Sequence, residues 1–588
     1  MPLPRDTDGT AGRSVMRRLA EAMIFEGLVD CTATPIGGSH RFTWRCNGVD
    51  ISCEGFAGAF GRIRIEPATL QCRRSQDWVA ATLDDLVASL DADPERRRQL
   101  AMELDRTLAL ATWNDGNLAR RPRRHLPHAQ LDSALDEGHP YHPCFKARTG
   151  FDLDDHAAYG PEAGNTFQLA WLAVAPERLH SALPAEEQAF WERELGAETF
   201  ALLDSRRAAC GDAAKNFGLM PLHPWQWKAL QGSHLSVWLA EGSAFFLGFA
   251  GDRYAASQSV RTLFNSDRPG QANVKLPMNL INSSAMRIVE PHSVCSAPPI
   301  SLWLKELVAG DPVLSGRFPI RILGEYAGTI AGRDGPLAGQ IAAIWREDVS
   351  IYLSPGEAAV PLNALMIVES DGRPFVADWI GRYGLERWAS QLIETVVLPV
   401  CHLLAAHGIA TECHGQNLIL IHRDGWPVGL AMRDFHDSVE YVPDFLREPE
   451  KVPDFVALNP AYHDAAPNEF YWMESVELLG ELVMDALFVY NLAEITHLLH
   501  HCYGLDETAF WAGVGRRLAT HGEEFGLTGR MVALGLFQPR IRTESLLRRK
   551  LARPGTECAH EIPNSLAVAA NDASTGSADT RYLQAVMA

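Results

Sequence analysis

The feature that most constrains this chain is a predicted β-hairpin over residues 418–432, where two apolar runs flank an Asp-Gly turn dipeptide. A polar segment, residues 412–417 (ECHGQN), precedes the hairpin, and Asp434 follows it. Because a hairpin folds back on itself, its two ends meet. We therefore expect Asn417 and Asp434 to lie side by side.

The polar groups at the mouth of this hairpin suit a divalent cation. An amide oxygen from Asn417 and a carboxylate from Asp434 would seat a magnesium ion that holds triphosphate oxygens. Protein kinases use their catalytic-loop Asn and the Asp of the D-F-G motif in the same way. The spacing thus predicts a chain that uses ATP and Mg²⁺. The alternative is a helix-to-strand loop in which His414 only bonds backbone groups.

Composition narrows the partners and the compartment. The formal net charge of -20 argues against a nucleic-acid or an anionic-membrane partner. The eleven cysteines form no C-x-x-C pair, which fits reduced thiols and no structural zinc site. The longest apolar runs, such as 398–406, are interrupted by Pro399 and His402 and are too short to span a bilayer. Residues 1–6 show no apolar signal core, so a cytoplasmic protein is expected.

Stretches with the periodicity of a helix alternate irregularly with stretches that have the periodicity of a strand, which predicts an α+β fold. The length of the chain predicts roughly two to four domains. We place boundaries near residues 155 and 350 and expect a disordered tail over 570–588. Helices are predicted at 14–28, 94–117, 185–215 and 385–407, the last with a kink at Pro399. Strands are predicted at 245–251, 257–264, 272–281 and 318–327.

Cationic and hydroxyl side chains are concentrated over residues 257–287. In a strand, alternation would put Ser259 and Arg261 on one face, and Lys275 and Arg287 follow them along the chain. Arginine offers a two-pronged fork to a carboxylate, and lysine a point charge to a phosphate. This inventory suits a polycarboxylate together with phosphates. The alternative is an ordinary strand with a solvated polar face.

Two further motifs favour a structural interpretation on local evidence. Residues 223–227 (HPWQW) are typical of an aromatic packing plug. Residues 138–150, which include Lys146 and Arg148, favour a proline-rigidified loop with solvated charges. The sequence contains no G-x-G-x-x-G, Walker A, G-x-S-x-G or H-E-x-x-H motif.

Taken in order, these motifs resemble those of the NRPS-independent siderophore synthetases, the aerobactin-synthetase-like IucA/IucC family. The segments that carry the resemblance are 139–150 (HPYHPCFKARTG), 223–226 (HPWQ), 259–262 (SVRT), 275–287, 414–417 (HGQN) and 433–434 (RD). The resemblance implies three parts likened to a thumb (1–155), fingers (156–350) and a palm (351–588). The palm would be distantly similar to a protein kinase.

The same resemblance implies an activity. Such enzymes condense a carboxylic acid, citrate or a citryl derivative, with an amine or alcohol in an ATP-dependent reaction. The acid passes through an acyl-adenylate, and AMP and pyrophosphate are released. A branch of the family uses 2-oxoglutarate, and the cations over 257–287 do not separate these acids. The implied partners are small-molecule substrates and a second copy of the chain in a homodimer.

Roles carried over from the family fall into four groups. Catalysis is assigned to His414, Arg287 and Arg261. Substrate binding is assigned to Ser259, Arg261, Ser283, Arg287 and His414. ATP binding is assigned to Ser259, Lys275, Ser284, Gln416, Asn417 and Asp434. The metal ligands would be Glu412, Asn417 and Asp434.

Several points stay open at this stage. Many relatives carry Thr at the place of Ser283, and Ser keeps the hydroxyl of that contact but loses the methyl. A basic residue near the C-terminus often faces the phosphates, and Arg542, Arg549 and Lys550 are all candidates. A small-molecule kinase would also use the hairpin, but it would release ADP, and the activating Asp expected a few residues before Asn417 is missing. A non-catalytic descendant is the third alternative, and the intact motif set argues against it.

Overall fold

Helices and strands are interspersed along the described part of the chain, in agreement with the predicted mixture of the two. The computed structural model describes residues 9–119, 122–283, 285–553 and 555–567. Ser284 and the predicted tail over 570–588 lie outside the described residues. The domain boundaries near 155 and 350 stay predictions.

The elements are numbered in chain order. The helices are α1 (Thr10–Phe25), α2 (Leu83–Ala88), α3 (Pro94–Asn117), α4 (His128–Ser133), α5 (Leu153–Tyr159), α6 (Glu187–Leu195), α7 (Ala197–Ala209), α8 (Pro224–Leu230), α9 (Leu235–Glu241), α10 (Ser293–Gly310), α11 (Ala377–Tyr383), α12 (Leu385–Leu392), α13 (Leu398–His402), α14 (Phe455–Leu458), α15 (Val476–Val483), α16 (Ala493–Tyr503), α17 (Glu507–Glu524), α18 (Thr528–Ala533) and α19 (Leu546–Leu551). The strands are β1 (Cys31–Ile36), β2 (Ser39–Cys46), β3 (Val49–Ala57), β4 (Ile63–Ile65), β5 (Gln71–Arg74), β6 (Asp77–Ala80), β7 (Thr166–Val174), β8 (Leu179–Ala182), β9 (Gly218–Leu222), β10 (Ala244–Ala256), β11 (Thr262–Asn265), β12 (Asn273–Lys275), β13 (Ile281–Asn282), β14 (Ala285–Met286), β15 (Ile320–Ile322), β16 (Glu325–Ala331), β17 (Ala342–Arg346), β18 (Ala358–Pro361), β19 (Ile409–Thr411), β20 (Leu418–Arg423), β21 (Trp426–Met432), β22 (Val439–Tyr441), β23 (Arg540–Glu544) and β24 (Ala559–Pro563).

An antiparallel sheet in the order β1-β2-β3-β5-β6 forms the N-terminal layer, and β4 also pairs with β3. Helix α1 packs beside β4 with Val15, Leu19 and Met23 fully buried, which is the spacing of one helix face. Asn47 and Gly48 both have a positive φ, as a two-residue turn between β2 and β3 requires. The sheet and helix follow the sequence pattern closely.

The central sheet runs in the order β8-β16-β17-β12-β11-β10-β7-β9. This sheet has an apolar core on each face, because successive residues of a strand point to opposite sides. In β7, Leu169 and Trp171 join one apolar cluster, and Ala170 and Leu172 join another. Side chains from α6 and α7 fill the first cluster, and side chains from α8 and α9 fill the second. This two-sided support makes the sheet a rigid platform for the residues at its strand ends.

The predicted hairpin is present as β20 and β21, with Leu418 paired to Met432. Asp424 and Gly425 have φ values of 50° and 87°, so the turn has the left-handed geometry that suits a two-residue hairpin. Strand β18 pairs with β20, and β15 pairs in parallel with β21. Residues 320–322, in the predicted fingers segment, therefore supply an edge strand to the hairpin sheet.

A helical run over Leu385–His407 lies in the largest apolar core. It passes through Pro399 after a π-helical turn at Ile393–Val397, so the helix predicted over 385–407 is confirmed. The prediction that the apolar run is too short to span a bilayer is wrong by length and composition. In the described part of the chain, this is the one helix long and apolar enough to cross a membrane by length and composition. Of its apolar window, 83% is buried inside the fold, as in the core helix of a globular protein.

Candidate functional site

The mouth of the hairpin brings the predicted polar residues together along the backbone. Arg433 N donates to Asn417 O at 3.1 Å, so Asn417 and Asp434 occupy the same end of the hairpin. Their side chains have separate partners. Asn417 Nδ2 donates to the carbonyl of Glu412 at 2.9 Å, whereas the Asp434 carboxylate accepts from Arg346 Nη1 at 2.6 Å.

Asp434 sits in a strained and strongly cationic setting. Its φ of 65° is left-handed, a conformation that non-glycine residues adopt mainly where the surroundings enforce it. Lys275 Nζ lies 3.6 Å from Oδ1, the oxygen that also contacts Arg346. Burial alone would raise the pKa of Asp434, but Lys275 and Arg346 outweigh burial and hold that pKa well below its usual range. Asp434 is therefore an ionised group between two cations.

Glu325 and His436 complete this corner of the site, and the motifs did not point to either. The Glu325 carboxylate accepts from the N–H groups of Phe435 (3.1 Å) and His436 (2.9 Å) and contacts His436 Nδ1 (2.8 Å). Burial lowers the pKa of His436, but Asp437 and Glu325 outweigh it and raise the pKa to about 9. One ligand atom each from His436, Glu325 and Asp434 lie within 4.8 Å of one another, but Lys275 Nζ lies 3.1 Å from His436 Nε2, and this cation disfavours a metal ion there.

The serine segment is a tight turn between β10 and β11, so the strand predicted over 257–264 is wrong over 257–261 and confirmed only over 262–264, the start of β11. Ser257 N donates to Thr262 O at 2.8 Å and closes the turn, and Val260 takes a φ of 70°. Within the turn, the hydroxyl oxygens of Ser257 and Ser259 lie 3.0 Å apart. A left-handed β-branched residue is rare, which is why the strand-like composition misled the prediction.

Arg261 and Arg287 form no ion pair with any described residue. The Arg261 guanidinium donates to the carbonyl of Ile288, and Arg287 Nη2 donates to the carbonyl of Asn282 at 2.8 Å. Burial and then the charge of Arg261 lower the pKa of Arg287 to about 10. Two neighbouring guanidinium groups without a counter-ion form a ready binding site for carboxylate or phosphate.

The loop 412–417 fixes the ring of His414. Nδ1 accepts from two backbone N–H groups, those of Gln416 (3.2 Å) and Asn417 (3.3 Å). The neutral imidazole therefore carries its proton on Nε2, which lies 4.0 Å from Glu412 Oε2. His414 thus presents an N–H donor at a partly exposed position.

Gly415 lets this loop pack against its surroundings. A Cβ at that position would lie 2.9 Å from both Asn363 Cβ and Asn491 Oδ1. The carbonyl of Gly415 also accepts from Asn363 N at 3.1 Å. A side chain at residue 415 would therefore push the loop, and His414 with it, out of place.

Asp132, to which no motif pointed, ties the serine turn to this loop. Its Oδ1 accepts from Gln258 N at 2.9 Å, and its Oδ2 accepts from Arg433 Nη2 at 2.8 Å. Arg433 Nε in turn donates to the carbonyl of Gln416 at 2.8 Å. Burial alone would raise the pKa of Asp132, but Arg433 outweighs burial and lowers it. A single Asp in a polar connector has no spacing that could have identified it.

The remaining predicted residues lie around this centre. Ser283 forms the turn between β13 and β14 with a φ of 57°. Gln416 contributes its carbonyl to Arg433, and the Glu412 side chain is half exposed beside His414. Ser284 falls outside the described residues.

The charges of the 138–150 segment are buried, so the predicted solvated loop is wrong. Glu162 pairs with Lys146 Nζ at 3.0 Å and with Arg148 Nη2 at 2.7 Å, and Lys146 also pairs with Asp136. These acids neutralise both cations. The role of Lys146 and Arg148 is therefore structural: they hold the segment in place.

The HPWQW segment is a packing plug, as predicted. Trp225 Nε1 donates to Asp155 Oδ2 at 3.1 Å. The Gln226 side chain accepts from Asn279 N at 2.8 Å and donates to Asn279 Oδ1 at 2.9 Å. The plug thereby fastens the segment between Lys275 and Arg287.

The side chains of the three basic candidates near the C-terminus point to different surroundings. Arg542 and Arg549 form exposed pairs with neighbouring glutamates. Lys550 is mostly buried and pairs with Glu103. Its charge adds to burial in holding the pKa of His142 well below the usual range. Lys550 is therefore the one of the three that faces the interior beside the 138–150 segment.

Comparison with known proteins adds to this geometry. The IucA / IucC family matches residues 127–367, and the ferric iron reductase FhuF-like transporter family matches residues 386–557. A relative from Bacillus anthracis, named citryl-spermidine/3,4-dihydroxybenzoyl-citryl-spermidine:spermidine ligase, is 32% identical over 94% of this chain and 93% of its own length.

Solved structures are similar over nearly the whole length. The petrobactin biosynthesis protein AsbB of Bacillus anthracis str. Sterne superposes with a TM-score of 0.89 at 31% identity and covers 95% of each chain. The ATP-bound aerobactin synthetase IucA of Klebsiella pneumoniae gives a TM-score of 0.75 at 18% identity, over 94% of this chain and 99% of that one. At that identity the second likeness shows the fold alone.

Proposed function

The chain belongs to the IucA / IucC family, and from that membership we propose that it catalyses a condensation step of siderophore biosynthesis. ATP would adenylate a carboxylate of citrate or a citryl derivative, and the activated acid would then be joined to an amine or alcohol. The products would be AMP, pyrophosphate and an amide or ester. The observation that carries this proposal is the Arg261–Arg287 pair, which forms no ion pair with a described residue and lies near Lys275.

In the first step a carboxylate oxygen attacks the α-phosphorus of ATP, and the bond from that phosphorus to the pyrophosphate oxygen breaks. Two anions must approach each other, so the site has to offset their repulsion. The forks of Arg261 and Arg287 suit the carboxylates of the acid, and Lys275 suits a phosphate. The Nε2–H of His414 would donate to charge that develops between them.

In the second step the nucleophile attacks the acyl carbon, the carbon–oxygen bond to AMP breaks, and the nucleophile loses its proton. Adenylation is what makes this step feasible, since it removes the negative charge of the acid and supplies a leaving group. Holding acid and nucleotide in one orientation lowers the barrier further.

A magnesium ion fits the residues at the hairpin mouth. The Asp434 carboxylate and the Asn417 amide oxygen are ligands of the type that Mg²⁺ prefers, with Glu412 close by. Because Asn417 Nδ2 donates to the Glu412 carbonyl, the amide oxygen is directed away from that contact. Phosphate oxygens would engage Arg346 and Lys275, the present partners of Asp434, and leave its carboxylate available. When bound, the ion would screen and position the phosphates.

The relatives support the choice of substrates. The Bacillus anthracis relative is named as a ligase of citryl-spermidine and spermidine, which favours a citrate-derived acid and a polyamine here. The solved IucA structure is described as ATP-bound, which favours ATP. A homodimer and a cytoplasmic location stay predictions.

A nucleotide product assay tests this function. Purified protein with ATP, Mg²⁺, citrate and hydroxylamine is expected to yield a hydroxamate with AMP and pyrophosphate. ADP as the product would favour the kinase alternative. If 2-oxoglutarate yields a hydroxamate and citrate does not, the acid substrate is 2-oxoglutarate and the adenylation mechanism still holds. Replacing hydroxylamine by spermidine and shorter diamines then identifies the nucleophile.

A further inference from the structure

A second cluster of metal-binding side chains lies outside the candidate site. Asp311, His402 and His407 are buried, and one ligand atom from each lies within 4.8 Å of the other two. The Nε2 atoms of His402 and His407 both point at Asp311 Oδ2, at 3.3 Å and 2.6 Å. None of the three residues contributes to the site described above.

The helix is distorted where it positions the two histidines. Residues five apart in a regular α-helix project about 140° from each other, so His402 and His407 would not share a target. The turn Leu403–His407 is π-helical, and it brings His407 back toward the side that carries His402. Gly408 then ends the helix with a φ of 77°. π-helical turns of this kind are frequent at functional sites.

Surrounding groups hold two of the three side chains in orientation. His402 Nδ1 lies 2.8 Å from His521 Nε2, so the ring nitrogen that is not directed at Asp311 has its own partner. Asp311 Oδ1 accepts from Val313 N at 2.7 Å, which leaves Oδ2 for the histidines. Metal-binding histidines and carboxylates are commonly fixed by such outer contacts. His407 Nδ1 is buried and has no partner among the described residues.

A cavity of about 470 Å³ adjoins the cluster. Asp311, His402 and His407 all line it, together with Glu448 and Phe525. Glu448 pairs with Lys451 at 2.6 Å, and Arg447 also lines the cavity, so the rim carries one cation more than it has acids. The cavity provides both a path for an ion and space for a further ligand on it.

We propose that Asp311, His402 and His407 bind one divalent first-row transition ion, Zn²⁺ or Fe²⁺, with an open coordination position toward the cavity. Two imidazoles and one carboxylate are the donors that these ions take in proteins, whereas Mg²⁺ prefers oxygen alone. The bound ion links the end of α10, the helical run over Leu385–His407 and, through His521, helix α17. It therefore joins three parts of the largest apolar core.

Metal titration of the chelator-stripped full-length protein tests the proposal, with Co²⁺ as the visible probe and Zn²⁺ as its competitor. We expect one equivalent of Co²⁺ with a visible absorption band, displaced by Zn²⁺. His407→Ala removes this equivalent. His521→Phe, which removes only the outer contact, weakens binding about 10–100-fold. Asp434→Asn retains the equivalent, which separates it from ions at the nucleotide site.

The exposed His501 provides the matched control, because it lies beside His500 and Cys502 on the surface. His501→Ala keeps the band if the buried cluster is the site, and loses it if the metal sits on the surface. X-ray absorption of the Zn²⁺-loaded wild-type protein needs no variant and reports the ligands directly. Two imidazoles without sulfur support the proposal. Sulfur ligands, or no bound equivalent, overturn it.

Discussion

Arg433 Nη2 donates to Asp132 Oδ2 at 2.8 Å, although the two residues are 301 positions apart in the chain. The pair is buried, and each partner also holds one wall of the candidate site. Asp132 holds the serine turn through Gln258, and Arg433 holds the His414 loop through the carbonyl of Gln416. The relative position of these two walls therefore depends on one ion pair.

We expect Asp132→Asn to lower the free energy of unfolding by about 3–5 kcal/mol, because it leaves the buried Arg433 without its counter-charge. Urea unfolding measures this loss. Asp267→Asn is the matched control, since Asp267 pairs with Arg253 at the surface and should contribute only about 0.2–1 kcal/mol. Equal losses in the two variants would show that the Asp132–Arg433 pair is no stronger than a surface pair.

Arg287→Ala should lower the rate of citrate-dependent AMP release by roughly a hundredfold or more, the scale of losing one charge-stabilising donor. Stability should be kept, because no described acid loses a partner. Arg287→Lys retains the charge but not the fork, so an intermediate rate is expected. Initial rates together with unfolding midpoints check both variants. A rate near that of the wild-type protein would remove Arg287 from the proposed machinery.

Asp434→Asn should shift the Mg²⁺ dependence of activity to higher concentration, because an amide is a weaker ligand for Mg²⁺ than a carboxylate. The same change leaves Arg346 and Lys275 without their shared acid. A Mg²⁺ titration of AMP release at saturating ATP measures the shift. An unchanged titration curve would mean that the metal binds elsewhere.

Glu26 makes stability depend on pH between about 4.5 and 7. Its carboxylate accepts from Leu547 N (2.9 Å), Arg548 N (2.7 Å) and the Tyr141 hydroxyl (2.7 Å), and burial raises its pKa from 4.5 to about 7. The folded state keeps the proton to higher pH than the unfolded state does. The protonated Glu26 therefore contributes about 3 kcal/mol to the free energy of unfolding. This contribution is fully present below pH 4.5 and is lost as pH rises through 7.

The side chain in Glu26→Gln cannot titrate, so the variant should lack this dependence of stability on pH. Urea unfolding of both proteins from pH 4.5 to 8 gives the difference, with the wild-type protein losing stability relative to the variant as pH rises. Parallel stability curves would show that Glu26 does not titrate in this range.

The hairpin could be predicted because every signal for it is local. Its apolar runs and its Asp424-Gly425 turn lie within one short stretch, and the backbone geometry follows from them. The serine turn was missed because its reversal depends on a left-handed Val260, a residue whose composition favours a strand.

Partners that come from distant segments could not be predicted. Glu325 and Arg346 lie on β16 and β17, and they meet His436 and Asp434 only because the central sheet packs against the hairpin. The burial of Lys146 likewise depends on Glu162, which the local sequence around Lys146 does not reveal. Long-range pairing of charges leaves no period or spacing in a single sequence.

Strand β15 has a practical consequence for dissecting the molecule. A cut after residue 350 would separate residues 320–322 from β21 and leave Leu430–Met432 without their hydrogen-bonding neighbour on that side of the strand. Such a bare edge recruits other chains and promotes aggregation. A fragment or a chimera of two relatives should therefore carry residues 320–322 together with the C-terminal portion, whatever junction is chosen elsewhere.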